Sequence, residues 1–243
     1  MTKLIQRTVI LALGLTVGLF ANQLQASEVN IANLMAYVDV KHGNQMVRIK
    51  RIQDTEHRLT GGFTKTSRPC PPFCFQPMIA ARGVGTVGEV EVIRFLTKEH
   101  RRGSGILVDA RTPKWFETAT IPGSINAPFT IFEVDEEVLE VEGEDADVVK
   151  ALKKFGVTFR DQTKDNVGFI AKLFSSSSEE KASKLDFSKA KTLLLFCNGP
   201  WCGQSPRAIR ALLKLGYPSH KLFYYRGGMQ NWQMGGFTTV SAK

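Results

Sequence analysis

The sequence predicts an α/β protein: a central parallel sheet with helices on both faces, preceded by a small β-rich N-terminal extension. Three observations lead there. Two short apolar runs, Ile-Leu-Val at 106–108 and Leu-Leu-Leu-Phe at 193–196, are bounded by turn residues and read as buried strands. Each is followed by a helix with its own start signal, Thr112-Pro113 after the first and Ser205-Pro206 after the second. Strand alternating with helix implies parallel pairing, with ligands bound at the carboxyl ends of the strands, where Asp109 and Cys197 lie.

The chain opens on Lys3 and Arg7, an apolar stretch at 8–21 too short to span a bilayer comfortably, and Leu24-Gln25-Ala26 before Ser27. Residues 1–26 therefore read as a secretory signal peptide, with an uncleaved membrane anchor as the alternative. Cleavage would remove two cations, Lys3 and Arg7, and lower the formal charge from +9 to +7. The remaining excess is spread out, with clusters at Lys50-Arg51 and His100-Arg101-Arg102 that lack aromatic interleaving. It reads as solvated surface: no nucleic-acid partner is expected, and no membrane partner after cleavage. A mild preference for anionic partners is what the charge supports.

Residues 27–84 form the extension. Tyr37-Val38-Asp39-Val40, a turn at His42-Gly43-Asn44 and Met46-Val47-Arg48-Ile49 predict a β-hairpin, packed on the main domain or against a partner. Next comes Ser67-Arg68-Pro69-Cys70-Pro71-Pro72-Phe73-Cys74-Phe75-Gln76-Pro77-Met78, whose four prolines forbid a regular helix. Cys70 and Cys74 fit a small disulfide ring, a redox-active dithiol, or a zinc site with Cys197 and Cys202. Zinc spacing is usually tighter and export disfavours free thiolates, so the disulfide is the favoured reading.

The main domain is expected over residues 85–240. Thr86-Val87-Gly88-Glu89 fits a capping box, and Val90, Ile93 and Leu96 continue an apolar helical face. The second helix carries Trp115 and Phe116. An insertion runs from about 130 to 190, with an acidic run at 133–144, an amphipathic piece at 148–155 and a serine run at 175–178 that suits a flexible linker. It either shapes substrate access or elaborates the surface, the second being favoured on general loop behaviour.

The stretch at 193–207 carries the chemistry. Cys197 falls where a strand stops and a Gly/Pro-rich loop opens, ahead of a helix with Ser205 as N-cap, Pro206 at its first position and Ile209, Leu212 and Leu213 on one face. The helix start aims free N–H groups and partial positive charge at the loop, which lowers a thiol pKa and populates the reactive thiolate. Cys202 is a second thiol, near enough in sequence to form a disulfide with Cys197.

Together with Leu215-Gly216-Tyr217, the strand at 222–225 and Gly227-Gly228-Met229-Gln230-Asn231-Trp232, this stretch resembles the active-site half of the rhodanese (sulfurtransferase) family, in an exported bacterial type with an extended Cys-x4-Cys loop. Upstream, Ile106-Leu107-Val108-Asp109-Ala110-Arg111 and Ile121-Pro122-Gly123-Ser124-Ile125-Asn126-Ala127-Pro128 are similar to the family's first signature. The resemblance implies a rhodanese-like sheet and a persulfide carried on Cys197, with Asn198, Gly199, Gly203 and Gln204 supplying backbone amides beside Ser205 and Arg207. It implies that Asp109 and Arg111 brace the loop, and that Trp232 is core. It implies a small sulfur donor and a thiol acceptor as partners, with no cofactor and no metal; the signal peptide read over residues 1–26 implies a periplasmic location.

The loop departs from the family pattern in carrying no arginine or lysine before Arg207, so thiosulfate would have to be met by Arg207, Arg111 or Arg226. Related phosphatases place an arginine where Gly203 stands, which argues against phosphatase activity. Thr120 replaces a histidine common in relatives, and the four histidines lie outside the motifs. Two alternatives stay open: a thiol–disulfide oxidoreductase using Cys197 and Cys202, with a redox protein partner or exchange with Cys70 and Cys74, and a non-catalytic binding module.

Overall fold

Leu193, Leu194, Leu195 and Phe196 are all buried, as a strand covered on both faces requires. In a computed structural model, which describes residues 28–133, 146–159 and 185–241, they lie in β8 (Thr192–Phe196). The signal segment, the serine run and all of the acidic run beyond Glu133 lie outside the described residues. Preceding β8 in the chain are β1 (Tyr37–His42), β2 (Gln45–Lys50), β3 (Gly85–Val87), α1 (Glu89–Phe95), β4 (Gly105–Asp109), α2 (Pro113–Thr118) and β5 (Ser124–Asn126). Then come α3 (Asp147–Lys154), β6 (Thr158–Phe159) and β7 (Leu185–Asp186); after β8 follow α4 (Gln204–Lys214), β9 (Leu222–Tyr225) and α5 (Gly228–Met234).

The predicted class is observed: a parallel sheet of five strands in the order β3-β9-β8-β4-β5. The register sets Leu195 between Val108 and Tyr224, and Phe196 between Asp109 and Tyr225, so both apolar runs end on one edge. Alternation divides the sheet between two cores. Leu193, Leu195, Val108 and Tyr224 pack against α3 and α4; Leu194, Phe196, Leu107 and Tyr225 pack against α1, α5 and the hairpin.

Three expectations change. Thr86 does not cap α1 but sits in β3, its hydroxyl bonded to the Met78 carbonyl. Gly88 takes the cap position, and the Glu91 carboxylate accepts its N–H at 3.2 Å. Helix α4 begins before Ser205: Gly203 is the cap residue, and Gln204, Ser205 and Pro206 form the first turn, where proline's missing N–H costs nothing. The insertion is not surface elaboration where it is described. Val148, Val149, Ala151 and Leu152 of α3 are buried with Phe155 in the first core, because the amphipathic piece has a sheet face to cover.

The hairpin β1–β2 forms as predicted, with Gly43 at φ +57° in its turn. It packs on the main domain: Val40 and Ile49 enter the second core, and Arg51 donates to the Gly235 carbonyl at 2.7 Å. Among the described residues, no helix is long and apolar enough to cross a membrane.

Candidate active site

Cys197 is the first residue past β8, and its loop is fastened from behind by the start of α5. Met229 N–H donates to the Cys197 carbonyl and Gln230 N–H to the Asn198 carbonyl, both at 2.9 Å. Gly228, at φ +54°, makes this approach possible: a Cβ there would collide with the Cys197 carbonyl oxygen. The Cys202 N–H closes the loop on the Gly199 carbonyl at 2.9 Å.

Ser205, fully buried in the first turn of α4, donates its hydroxyl to Cys197 Sγ at 3.1 Å. When protonated, the Cys197 thiol donates to the Cys202 carbonyl at 3.3 Å, and Cys202 Sγ reaches Gln204 Oε1 at 3.5 Å. Burial is the largest single influence on Cys197 and pushes its pKa up. Hydrogen bonds from the Cys202 thiol, the Ser205 hydroxyl and the Ser205 and Gly199 N–H groups together outweigh it and hold the pKa below the ordinary thiol value. Cys202 is driven up, first by donating to Cys197, then by burial and by the neighbouring charge. One thiol is set to ionise and the other to keep its proton.

The sulfur is deeper than strand-end placement suggested. Cys197 is 1% exposed and does not line the cavity above the loop, whereas Cys202 does. Of the sequence-predicted residues, Asn198, Cys202, Gly203, Gln204 and Arg207 line that cavity, of about 450 Å³. Gly199 lies outside this lining, packed on Gln230 and Trp201.

Asp109 and Arg111 are buried together in a bidentate pair: Arg111 Nε lies 2.9 Å from Asp109 Oδ1 and Nη2 lies 2.6 Å from Oδ2. Arg111 also donates to Asn198 Oδ1 at 3.2 Å and to the Ala119 carbonyl at 2.6 Å, tying the first signature to the cysteine loop. Thr120 joins by donating to Asp109 Oδ2 at 2.8 Å. With Nε, Nη1 and Nη2 all engaged and 1% exposure, Arg111 is not placed to meet a substrate anion. Arg207 is paired with Glu133 at 2.7 Å, and Arg226 donates to the Gln76 carbonyl at 2.9 Å. Trp232 is fully buried.

The cavity has walls that sequence reasoning missed. Cys70 and Cys74 are joined in a disulfide, which removes the dithiol and zinc alternatives for them; Cys197 and Cys202 are free thiols. The disulfide ring seats Phe73 edge-on against Trp201, ring centroids 5.6 Å apart, and Gln76 N–H donates to the Pro200 carbonyl at 2.8 Å. Phe63 and Trp115 complete the mouth, and Arg68 lies 3.8 Å over the Trp201 ring. Arg68 and Phe73 stand inside the proline-rich segment at 67–78, but nothing local says that it folds over the cysteine loop. Among the described residues, no group of His, Cys, Asp or Glu side chains could hold a metal ion.

A family model described as a rhodanese-like domain matches residues 94–234, more than half of the chain. The protein belongs to the rhodanese-like family. No curated protein matches the sequence. Solved structures similar to this rhodanese-like chain include the BH2092 protein of Bacillus halodurans, at 14% identity and TM-score 0.37, covering 65% of this chain and 77% of the other. They also include the human single-domain sulfurtransferase TSTD1, at 18% identity and TM-score 0.35, with 62% and 96% covered. The single-domain sulfurtransferase RDL2 of Saccharomyces cerevisiae is 17% identical at TM-score 0.35, with 63% and 91% covered.

Proposed function

We propose that this rhodanese-like protein is an exported sulfurtransferase that carries sulfane sulfur as a persulfide on Cys197. The observation that carries the reading is the Ser205 hydroxyl donating to Cys197 Sγ at 3.1 Å from the first turn of α4, the partly positive end of that helix. A cysteine that serves only to pack has no use for a thiolate so equipped with donors. The thiolate attacks the sulfane sulfur of a donor; the new bond to Cys197 forms as the donor's bond to that sulfur breaks, and the electron pair leaves with the donor remnant. The same donors then hold the persulfide anion until an acceptor thiolate takes its outer sulfur. Asp109, Arg111 and Asn198 act as positioning residues for the loop. Export to the periplasm is supported by the character of residues 1–26 and by the Cys70–Cys74 disulfide, a bond suited to an oxidising compartment.

One observation favours a second reading. Cys197 and Cys202 are both free, the Cys197 thiol reaches the Cys202 carbonyl at 3.3 Å, and it is Cys202 that lines the cavity, an arrangement a thiol–disulfide oxidoreductase would use. Mass spectrometry of the peptide holding both thiols, after incubation with a sulfane donor, separates the two. A gain of one sulfur on Cys197, lost in Cys197→Ser, supports transfer. A loss of two hydrogens from the pair, reversed by a dithiol, supports exchange. An unchanged peptide sinks both.

A further inference from the structure

We propose that the cavity above the cysteine loop selects an organic sulfane donor with an aromatic body and a single negative charge, of the aryl thiosulfonate class, over inorganic thiosulfate; this rests on Cys197 being the sulfur carrier. The walls state the preference for an aromatic body. Phe63 and Phe73 from one stretch of the chain, Trp115 and Phe129 from a second and Trp201 from a third meet around one cavity of about 450 Å³, several times the space an inorganic oxyanion fills. Phe63 and Trp115 lie with centroids 6.4 Å apart, and the Phe73–Trp201 pair closes the other side. A planar ring gains apolar contact and edge-to-face partners there. A small hydrated dianion gains neither and must shed water into an apolar chamber.

The cations set the charge. Arg207 lies over Phe129 and is held by both oxygens of Glu133, so its charge is already matched. Arg68 is different. Its guanidinium lies over Trp201, among the described residues no carboxylate pairs with it, and its Nε is out of solvent without a hydrogen-bond partner. Among the described residues it makes one hydrogen bond, from Nη2 to the Gly62 carbonyl. One unmatched cation, with its buried Nε donor left unbonded, suits one negative charge; a dianion would keep a charge uncompensated. The Cys197 thiolate, packed against Trp201 and Cys202 at the cavity floor, attacks the outer sulfur of an aryl thiosulfonate whose body fills the cavity; the bond between the two donor sulfurs breaks, and the aryl sulfinate leaves with its electron pair and one negative charge, leaving the persulfide anion on Cys197.

The test uses the full chain with benzenethiosulfonate, methanethiosulfonate and thiosulfate. Sulfur gain on Cys197 is timed by mass spectrometry, and each rate is divided by that donor's rate with a small free thiol. Benzenethiosulfonate is expected to lead both others by roughly ten- to a hundredfold, the range that burying a phenyl ring supplies. Trp115→Ala, at a residue 46% exposed and outside both cores, is expected to cut that lead about fivefold. Equal normalised rates, or thiosulfate in the lead, overturn the selectivity and leave Cys197 as a carrier. If no donor loads Cys197, the carrier reading falls, and the inference falls with it as a statement about donors. The site itself is read separately by tryptophan fluorescence of the Cys197→Ser protein: benzenesulfonate binding about tenfold tighter than methanesulfonate upholds an aromatic-anion site, and equal binding or none refutes it.

Discussion

The molecule holds two pairs of cysteines at almost the same spacing and treats them oppositely. Cys70 and Cys74, in a proline-rich strap, are closed by a covalent bond, while Cys197 and Cys202 stay reduced where a strand meets a helix. The strap has few backbone hydrogen bonds, so the disulfide holds its short turn in the place of a ladder. The cysteine loop is held without a covalent link. Its carbonyls are taken by Met229 and Gln230 N–H, and its Asn198 by Arg111. On the proposed reading the difference is one of use: a thiol that is to carry sulfur cannot also serve as a staple, so hydrogen bonds supply the loop's rigidity.

That comparison can be broken at several points. Cys197→Ser should abolish sulfur loading altogether, while Cys70→Ser/Cys74→Ser should retain it; loading by the same donor, followed by mass, checks both. Arg111→Ala should cost about 3–5 kcal/mol of stability, because it leaves the Asp109 carboxylate buried without its partner. Asp109→Ala/Arg111→Ala should lose less than the two single variants summed, seen in denaturant unfolding. Removing the disulfide with Cys70→Ser/Cys74→Ser should cost about 2 kcal/mol, the loop-closure entropy of so short a ring, or roughly 5 °C in melting temperature.

The smallest effect is the most diagnostic. Ser205→Ala should raise the Cys197 pKa through loss of one hydrogen bond to the thiolate, and so slow its alkylation at neutral pH. In the unaltered protein, alkylation of Cys197 should slow as pH falls through a midpoint below the ordinary thiol value of about 8.5, because the thiolate is being protonated. Cys202, whose proton is held by Cys197, should stay unreactive through the neutral range. The depressed pKa adds stability that is fully present above the ordinary thiol pKa and is lost as pH falls through the Cys197 value. Rates of iodoacetamide labelling at each thiol, across pH, test all of this.

What the sequence could tell followed the range of the interactions involved. The runs at 106–108 and 193–196 are buried on both faces, so their strands are legible from composition, and the hairpin from alternation. Three-residue strands such as β3 and β5 are too short for any period to show, and Thr86 looked like a cap because its true partner, the Met78 carbonyl, lies eight residues away in an irregular segment. The start of α4 was misplaced for a related reason: a serine before a proline is the usual cap signal, but here the hydroxyl serves Cys197. Cys197, Cys202 and the Asp109–Arg111 signature stood out because each belongs to a local motif. The aromatic mouth did not, since Phe63 and Trp115, or Phe73 and Trp201, meet only after folding and leave no periodic trace.

The stretch matched to the family, 94–234, is shorter than the working unit. It omits β3, the edge strand on β9, and the whole strap that brings Phe63, Arg68 and Phe73 over the cysteines. A fragment trimmed to those limits would keep the reactive sulfur and expose it with one side of its chamber gone. If the cavity sorts donors as proposed, that discrimination is written largely in residues that a homology-defined boundary would discard.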